Sequence, residues 1–216
     1  MEIVEKVDVI ERLTNFRYAT KKFDSSKKLT EEQVNNILAA LNLSASSFGL
    51  QPYKFILVND PEVREKLKNA AFGQTQVTDA SHLIVFAHKT SMDHGFIEKY
   101  IDNIATTRDV PREALGGFED VMKGTANNLT EDAAAYWNAR QTYIALGNLL
   151  TYCAVEGIDA CPMEGFDGNA FDEILGLKEK GLHAVVIAPV GYRSEEDGMQ
   201  HAKKVRRPIS EIVEVI

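Results

Sequence analysis

Apolar residues recur at three- and four-residue steps through Ile3, Val7, Ile10 and Leu13, the spacing of one helix face. Thr30 followed three residues later by Gln33 has the form of a capping box, and Val34, Ile37, Leu38 and Leu41 continue an apolar stripe beyond it. After a polar stretch over 44–51, residues 53–58 predict a strand. Asp60-Pro61 then predicts a helix with proline in its first turn. Residues 83–88 are nearly all apolar, the pattern of a strand covered on both faces.

The middle of the chain reads as helical. Phe96, Ile97, Tyr100, Ile101 and Ile104 form one stripe, and Pro111 marks the start of the next helix. Residues 131–156 predict one long helix ending at Gly157, and 169–175 a short one stopped by Gly176. Residues 184–190 predict a strand ended by Gly191, and the tail 209–216 is apolar enough to be expected packed rather than frayed. Strands and long helices that do not alternate strictly predict an α+β fold, not a doubly wound sheet. No repeat or linker divides the chain, so 1–216 is read as a single domain.

Composition narrows the class. Of 216 residues, 44% are hydrophobic and 26% charged, which fits a globular protein rather than a disordered or membrane one. A chain of this length buries roughly 70% of its unfolded surface, so its core needs no disulfide or metal staple. The start, Met1-Glu2-Ile3-Val4-Glu5, lacks the basic and apolar blocks of a secretion signal. The two cysteines, Cys153 and Cys161, form no disulfide framework, and a reducing cytoplasm is the expected compartment. A net charge of −8 argues against nucleic acid or an anionic membrane as partner. Within that acidic total, cations gather at Arg17, Lys21, Lys22, Lys27 and Lys28, and again at Lys203, Lys204, Arg206 and Arg207. Two basic clusters in an acidic chain suit one small anion.

The common catalytic signatures are missing. There is no G-x-G-x-x-G, no P-loop, no H-E-x-x-H and no G-x-S-x-G, and the five histidines are scattered, so no metal site is expected. Cys153 falls on the apolar part of a helix and reads as core. Four polar segments remain: Arg17-Tyr18-Ala19-Thr20-Lys21, Ser44-Ala45-Ser46-Ser47, Pro162-Met163-Glu164-Gly165 and Lys204-x-Arg206. Taken singly, they read as a solvated basic patch, an ordinary turn, a fixed turn with a surface acid, and a phosphate-suited pair.

Together they stand in the order and spacing of a known family. The chain resembles the oxygen-insensitive, FMN-dependent nitroreductase family, in its bacterial dihydropteridine reductase/nitroreductase branch. The matching stretches are Arg17-x-x-Thr20-Lys21-x-Phe23-Asp24, Ser44-x-Ser46-Ser47 with Gln51-Pro52, and Asp79-Ala80-Ser81-His82. Further on come Gln141-x-Tyr143 with Gly147-Asn148, Pro162-x-Glu164-Gly165-Phe166-Asp167, Gly176-Leu177-Lys178-Glu179-Lys180-Gly181, and Lys204-x-Arg206-x-Pro208.

The resemblance implies a mainly antiparallel sheet flanked by long helices. It also implies an obligate, intertwined homodimer, with FMN at the subunit interface and each C-terminal segment extending the partner's sheet. Arg17, Lys204 and Arg206 then match residues holding the FMN phosphate, with Tyr18 and Ala19 beside them where a histidine and a serine are common. Lys21 matches the lysine near the N1/O2 edge of the ring, where a cation stabilises the reduced flavin. Ala45, Ser46 and Ser47 match contacts made to the partner's flavin, Ala45 standing where proline is frequent. Gln74 and Gln76 fall at the pyrimidine edge, amides replacing an asparagine and a lysine. Pro162, Met163, Glu164 and Gly165 match the segment against one ring face, with the backbone N–H groups of Glu164 and Gly165 near N5 and O4. Phe118 is the aromatic residue offered for the substrate gate. The implied activity is ping-pong: hydride passes from NADH or NADPH to flavin N5, and a nitroaromatic, quinone, flavin or pterin is then reduced. No side chain is assigned as general acid. A module that stores or senses FMN without turnover is the alternative, and dehalogenation or ring fragmentation is a third reading.

Overall fold

The computed structural model describes residues 8–216, so Ile3, Val7 and the N-terminal signal reading lie outside the described residues. The described part of the first stripe, α1 (Val9–Glu11), runs straight into a wider π-turn over Arg12–Phe16. Ile10 is 71% exposed and Leu13 half-buried, and the regular helix expected through both gives way to the π-turn that begins between them. The wider turn re-aims the side chains that follow it, so the 3.6-residue period does not carry through.

Elsewhere local signals set the elements. In α2 (Glu31–Asn42), the Thr30 hydroxyl accepts from the Gln33 N–H at 3.2 Å while the Gln33 amide oxygen accepts from the Thr30 N–H at 2.9 Å. Strand β1 (Tyr53–Val58) leads into α3 (Pro61–Ala70), capped by the Asp60 carboxylate. There follow α4 (Gln76–Asp79), β2 (His82–Lys89) and α5 (His94–Arg108). Pro111 opens a 3₁₀ turn over Arg112–Leu115 that continues as α6 (Gly116–Asn127). The long helix is α7 (Glu131–Val155), after which Gly157 adopts φ +69°, a conformation that costs glycine little. The chain closes through β3 (Asp159–Ala160), α8 (Gly168–Leu175) and β4 (Leu182–Gly191).

The four strands among the described residues form one antiparallel sheet in the order β1-β2-β4-β3. Period-two alternation along β2 splits the core. Leu83, Val85 and Ala87 pack with Leu67 of α3, Val77 of α4 and Phe171 of α8. Ile84 and Phe86 face the other way, against Ile37 and Leu41 of α2 and Leu149 and Cys153 of α7. The N-terminal part of α7 instead supplies Ala134 to a third cluster with Ile97, Ile101 and Met122 of α5 and α6. Strand β3 escapes sequence reading because two residues carry no periodicity.

The tail finds no cover within its own chain. After a 3₁₀ turn at Gly198–His201 every residue to the end is exposed, with Ile209 at 74% and Val215 at 92%. The tail is not packed against its own chain.

Candidate functional site

Arg17 follows the π-turn, and Lys204 and Arg206 lie on the extended chain after Gly198–His201. The two segments meet around a cavity of about 380 Å³, lined by Phe16, Arg17, Tyr18, Ala19, Lys204 and Arg206 among others, with no carboxylate in its wall. Burial and then the nearby Arg206 charge lower the pKa of Arg17. Burial, Arg17 and Arg206 likewise lower that of Lys204, whose ammonium donates to the Arg17 carbonyl. Cations that repel one another across a pocket are stabilised by an anion placed between them. The rest of the first basic cluster is partly neutralised, Lys22 pairing with Glu196 and Lys27 with Asp24.

The loop carrying Arg17 to Lys21 is fixed by residues that sequence reading missed. Buried Asp197 accepts from the Tyr18 hydroxyl at 2.9 Å and from the N–H groups of Lys21 at 2.7 Å, Lys22 at 3.1 Å and Met199 at 3.0 Å. Burial pushes its carboxyl up, but these donors outweigh burial and hold it below the usual carboxylate value. On the other side of the loop, Arg193 donates through Nε and its backbone N–H to buried Asp159, both at 2.8 Å, and through Nη2 to the Phe16 carbonyl at 3.0 Å. Its guanidinium also lies over the Phe16 and Tyr18 rings, 4.3 and 4.7 Å from their centroids. In sequence, Asp197 ends the acidic run Glu195-Glu196-Asp197 and reads as surface, and nothing marks Asp159 as the partner of Arg193.

A bridge between Ala19 and Ala160 brings this loop beside the segment that leads to 162–165. Met163 is buried and exchanges backbone hydrogen bonds with Ile187 at 2.9 and 3.0 Å. The Gln74 amide donates to the Gly165 carbonyl at 2.6 Å, so Gln74 does join this turn. Gln76 sits half-buried at the start of α4. The Tyr143 hydroxyl donates to a Glu164 carboxylate oxygen at 2.6 Å. The backbone N–H groups of Glu164 and Gly165 have no acceptor among the described residues.

The serine loop makes a separate arrangement. The Ser46 hydroxyl accepts from the Gln51 N–H at 3.0 Å, and the Ser47 N–H donates to Gln141 of α7 at 2.8 Å. Phe48, Gly49 and Gln51 all take positive φ, and a Cβ on Gly49 would lie 2.4 Å from the Tyr100 hydroxyl oxygen. Ala45, Ser46 and Ser47 do not line the Arg17 cavity of their own chain.

Known proteins resemble this chain over most of its length. The nitroreductase family model matches residues 15–192. An oxygen-insensitive NAD(P)H nitroreductase of Enterobacter cloacae is 37% identical over 213 residues, covering 91% of this chain and 94% of that protein. The chain belongs to the nitroreductase family. A Salmonella typhimurium protein of the same name is 37% identical over 203 residues, covering 89% and 93% of the two chains. Solved structures share the fold. A Bacillus subtilis nitroreductase-type protein superposes with TM-score 0.85 at 24% identity, covering 96% of this chain and 98% of that one. Another, from Exiguobacterium sibiricum and in complex with FMN, gives 0.83 at 21%, covering 98% of each.

Within this nitroreductase fold, Phe118 of α6 packs edge-on against Phe48, 6.0 Å between centroids, and Phe48 also neighbours Trp137. The gate residue offered from sequence thus touches the loop that carries Ser46 and Ser47. Burial pushes the Cys153 thiol up to about 12, which suits a core residue and not a nucleophile. Among the described residues, no group of three His, Cys, Asp or Glu side chains is arranged to hold a metal, and no helix is long and apolar enough to cross a membrane.

Proposed function

We propose that this protein is an FMN-dependent NAD(P)H oxidoreductase that works as a homodimer in the cytoplasm. The observation that carries the reading is the carboxylate-free cavity shared by Arg17, Lys204 and Arg206, which fits the dianionic phosphate of FMN. Two further features support it: the free N–H groups of Glu164 and Gly165, and Lys21 on the same loop as Arg17. Bound FMN would supply ping-pong chemistry, taking hydride from NADH or NADPH and then passing two electrons to a nitroaromatic, quinone, flavin or pterin.

The protein's own residues bind and orient. Arg17 and Arg206 offer guanidinium forks to the phosphate, and Lys204 adds a point charge. Lys21 supplies a cation that stabilises the negative charge developing on reduction. Glu164 and Gly165 offer backbone donors to the ring, Gln74 braces their turn, and Pro162 and Met163 shape the adjoining surface. Gln76, Tyr18 and Ala19 complete the site. Ala45, Ser46 and Ser47 serve the site of a second copy, which makes the dimer part of the chemistry.

The test is anaerobic mixing of the yellow, FMN-loaded protein with NADH or NADPH, followed by menadione or a nitroaromatic. Bleaching and then recovery of the flavin spectrum is expected, and the faster nucleotide identifies the donor. R206A should weaken FMN retention by about tenfold or more, the loss of a charged hydrogen-bonding partner. Bound FMN that neither nucleotide bleaches would point to storage or sensing, and failure to bind FMN at all would overturn the reading.

A further inference from the structure

The geometry points to Tyr143 as a positioning residue, one that sets the Glu164–Gly165 turn through its hydrogen bond to the Glu164 carboxylate. This rests on the FMN reductase reading above and assigns a new role within it. Tyr143 projects from α7 between residues that anchor that helix, since Gln141, Thr142, Ala145 and Leu146 are all buried. The phenol therefore starts from a rigid base, and its bond to Glu164 is short, 2.6 Å. Glu164 itself is exposed and follows the last buried residue of the segment, Met163.

The other tethers of the turn act on the backbone. Met163 is paired to Ile187, the Gln74 amide holds the Gly165 carbonyl, and the Phe166 N–H donates to the Glu164 carbonyl at 2.9 Å. Among the described residues, Tyr143 alone reaches the Glu164 side chain. The turn carries the two free N–H donors, so a looser turn aims them less well at any ring placed against it. Burial and the neighbouring carboxylate also push the Tyr143 hydroxyl well above the ordinary phenol value, so it remains a donor across the working pH range. The pair thus keeps one arrangement, phenol to carboxylate, with the carboxylate charge partly satisfied by that donor.

The experiment compares Y143F, E164A, E164Q and the Y143F/E164A double variant with the parent protein, using exposed Tyr136→Phe on the same helix as control. Amide hydrogen exchange of the peptide spanning 161–167 is read first on FMN-free protein. Y143F and E164A should each raise it by about fivefold, the loss of one ordinary hydrogen bond, and the double variant by no more than either alone. E164Q keeps an acceptor oxygen and should recover most of the protection lost in E164A. In FMN-loaded protein, Y143F should slow hydride transfer from NADH by about fivefold or more, the same single bond. It should also shift the flavin midpoint potential negative, because the carboxylate charge loses its donor, whereas E164Q removes that charge and should shift it positive. Exchange in Y143F within twofold of the parent would overturn the assignment, as would effects of Y143F and E164A that multiply in the double variant, or potential shifts of the same sign in Y143F and E164Q. Parent protein that fails to bind FMN, or is not bleached by NAD(P)H, counts against the functional reading, while exchange in the FMN-free protein still decides whether Tyr143 tethers the turn.

Discussion

Asp197 shows how much of the site one side chain outside it controls. Its two oxygens gather four donors from the loop that carries Arg17 and Lys21 and from the turn that leads to Lys204. Its pKa is depressed in the folded protein, so its contribution to stability is present above the unfolded carboxylate value and disappears as pH falls through the lower folded one. D197N keeps an acceptor oxygen but loses the charge. Urea unfolding should find it about 1.5–3 kcal/mol less stable than the parent at neutral pH, the range for charge-assisted hydrogen bonds, with the gap closing below about pH 4. A gap that stays constant down to pH 2 would show that the charge contributes nothing. The Asp159–Arg193 pair does similar work from the sheet side, tying β3 and the end of β4 to Phe16.

At the scale of elements, α6 is held to α5 by charges as well as by the apolar cluster of Ile97, Ile101 and Met122. Arg112 reaches Asp102 at 2.6 Å and Glu119 at 2.8 Å, and Lys123 reaches Glu119 at 2.8 Å and Glu98 at 2.6 Å. Hydrogen bonds from Arg112 and Lys123 hold the Glu119 carboxyl down to about 2. The stabilisation from Glu119 is therefore complete above its ordinary value of 4.5 and lost as pH falls toward 2. E119Q should melt earlier than the parent at neutral pH, with the two melting curves converging on acidification. Since Glu119 adjoins Phe118, which packs on the serine loop, E119Q should also raise KM for bulky acceptors more than for small ones. Equal KM changes for both would separate the ion network from substrate fit.

The whole molecule leaves an apolar tail uncovered. Ile209, Ile212, Val213, Val215 and Ile216 are each more than half exposed, which is unusual for a stable monomer. Among the described residues, strand β1 is an outer strand of the sheet, paired on one side with β2, and strand edges of this kind accept further strands. The proposed homodimer accounts for both features, with the tail of one copy covering the other. Deleting 209–216 should convert a dimer into a monomer by sedimentation analysis and release FMN with it. A truncated chain that stays dimeric and yellow would place the dimer contacts elsewhere.

What could be read from the chain alone was whatever depends on near neighbours. The Thr30–Gln33 capping box, the proline that opens α3, the glycines that close α7 and α8, and the two-faced apolar run of β2 are all set within a few residues. Those signals sufficed for the α+β class, and the four polar segments sufficed for the resemblance to nitroreductases. Folding decided the rest. Asp197 meets Tyr18, Arg193 meets Asp159, and Tyr143 meets Glu164 only after the sheet and α7 have brought distant segments together. Apolar burial repeats along an element and leaves a period in the sequence. A hydrogen bond between two polar side chains joins single positions and leaves none, so the residues that hold the proposed binding loops in place could be found only in three dimensions.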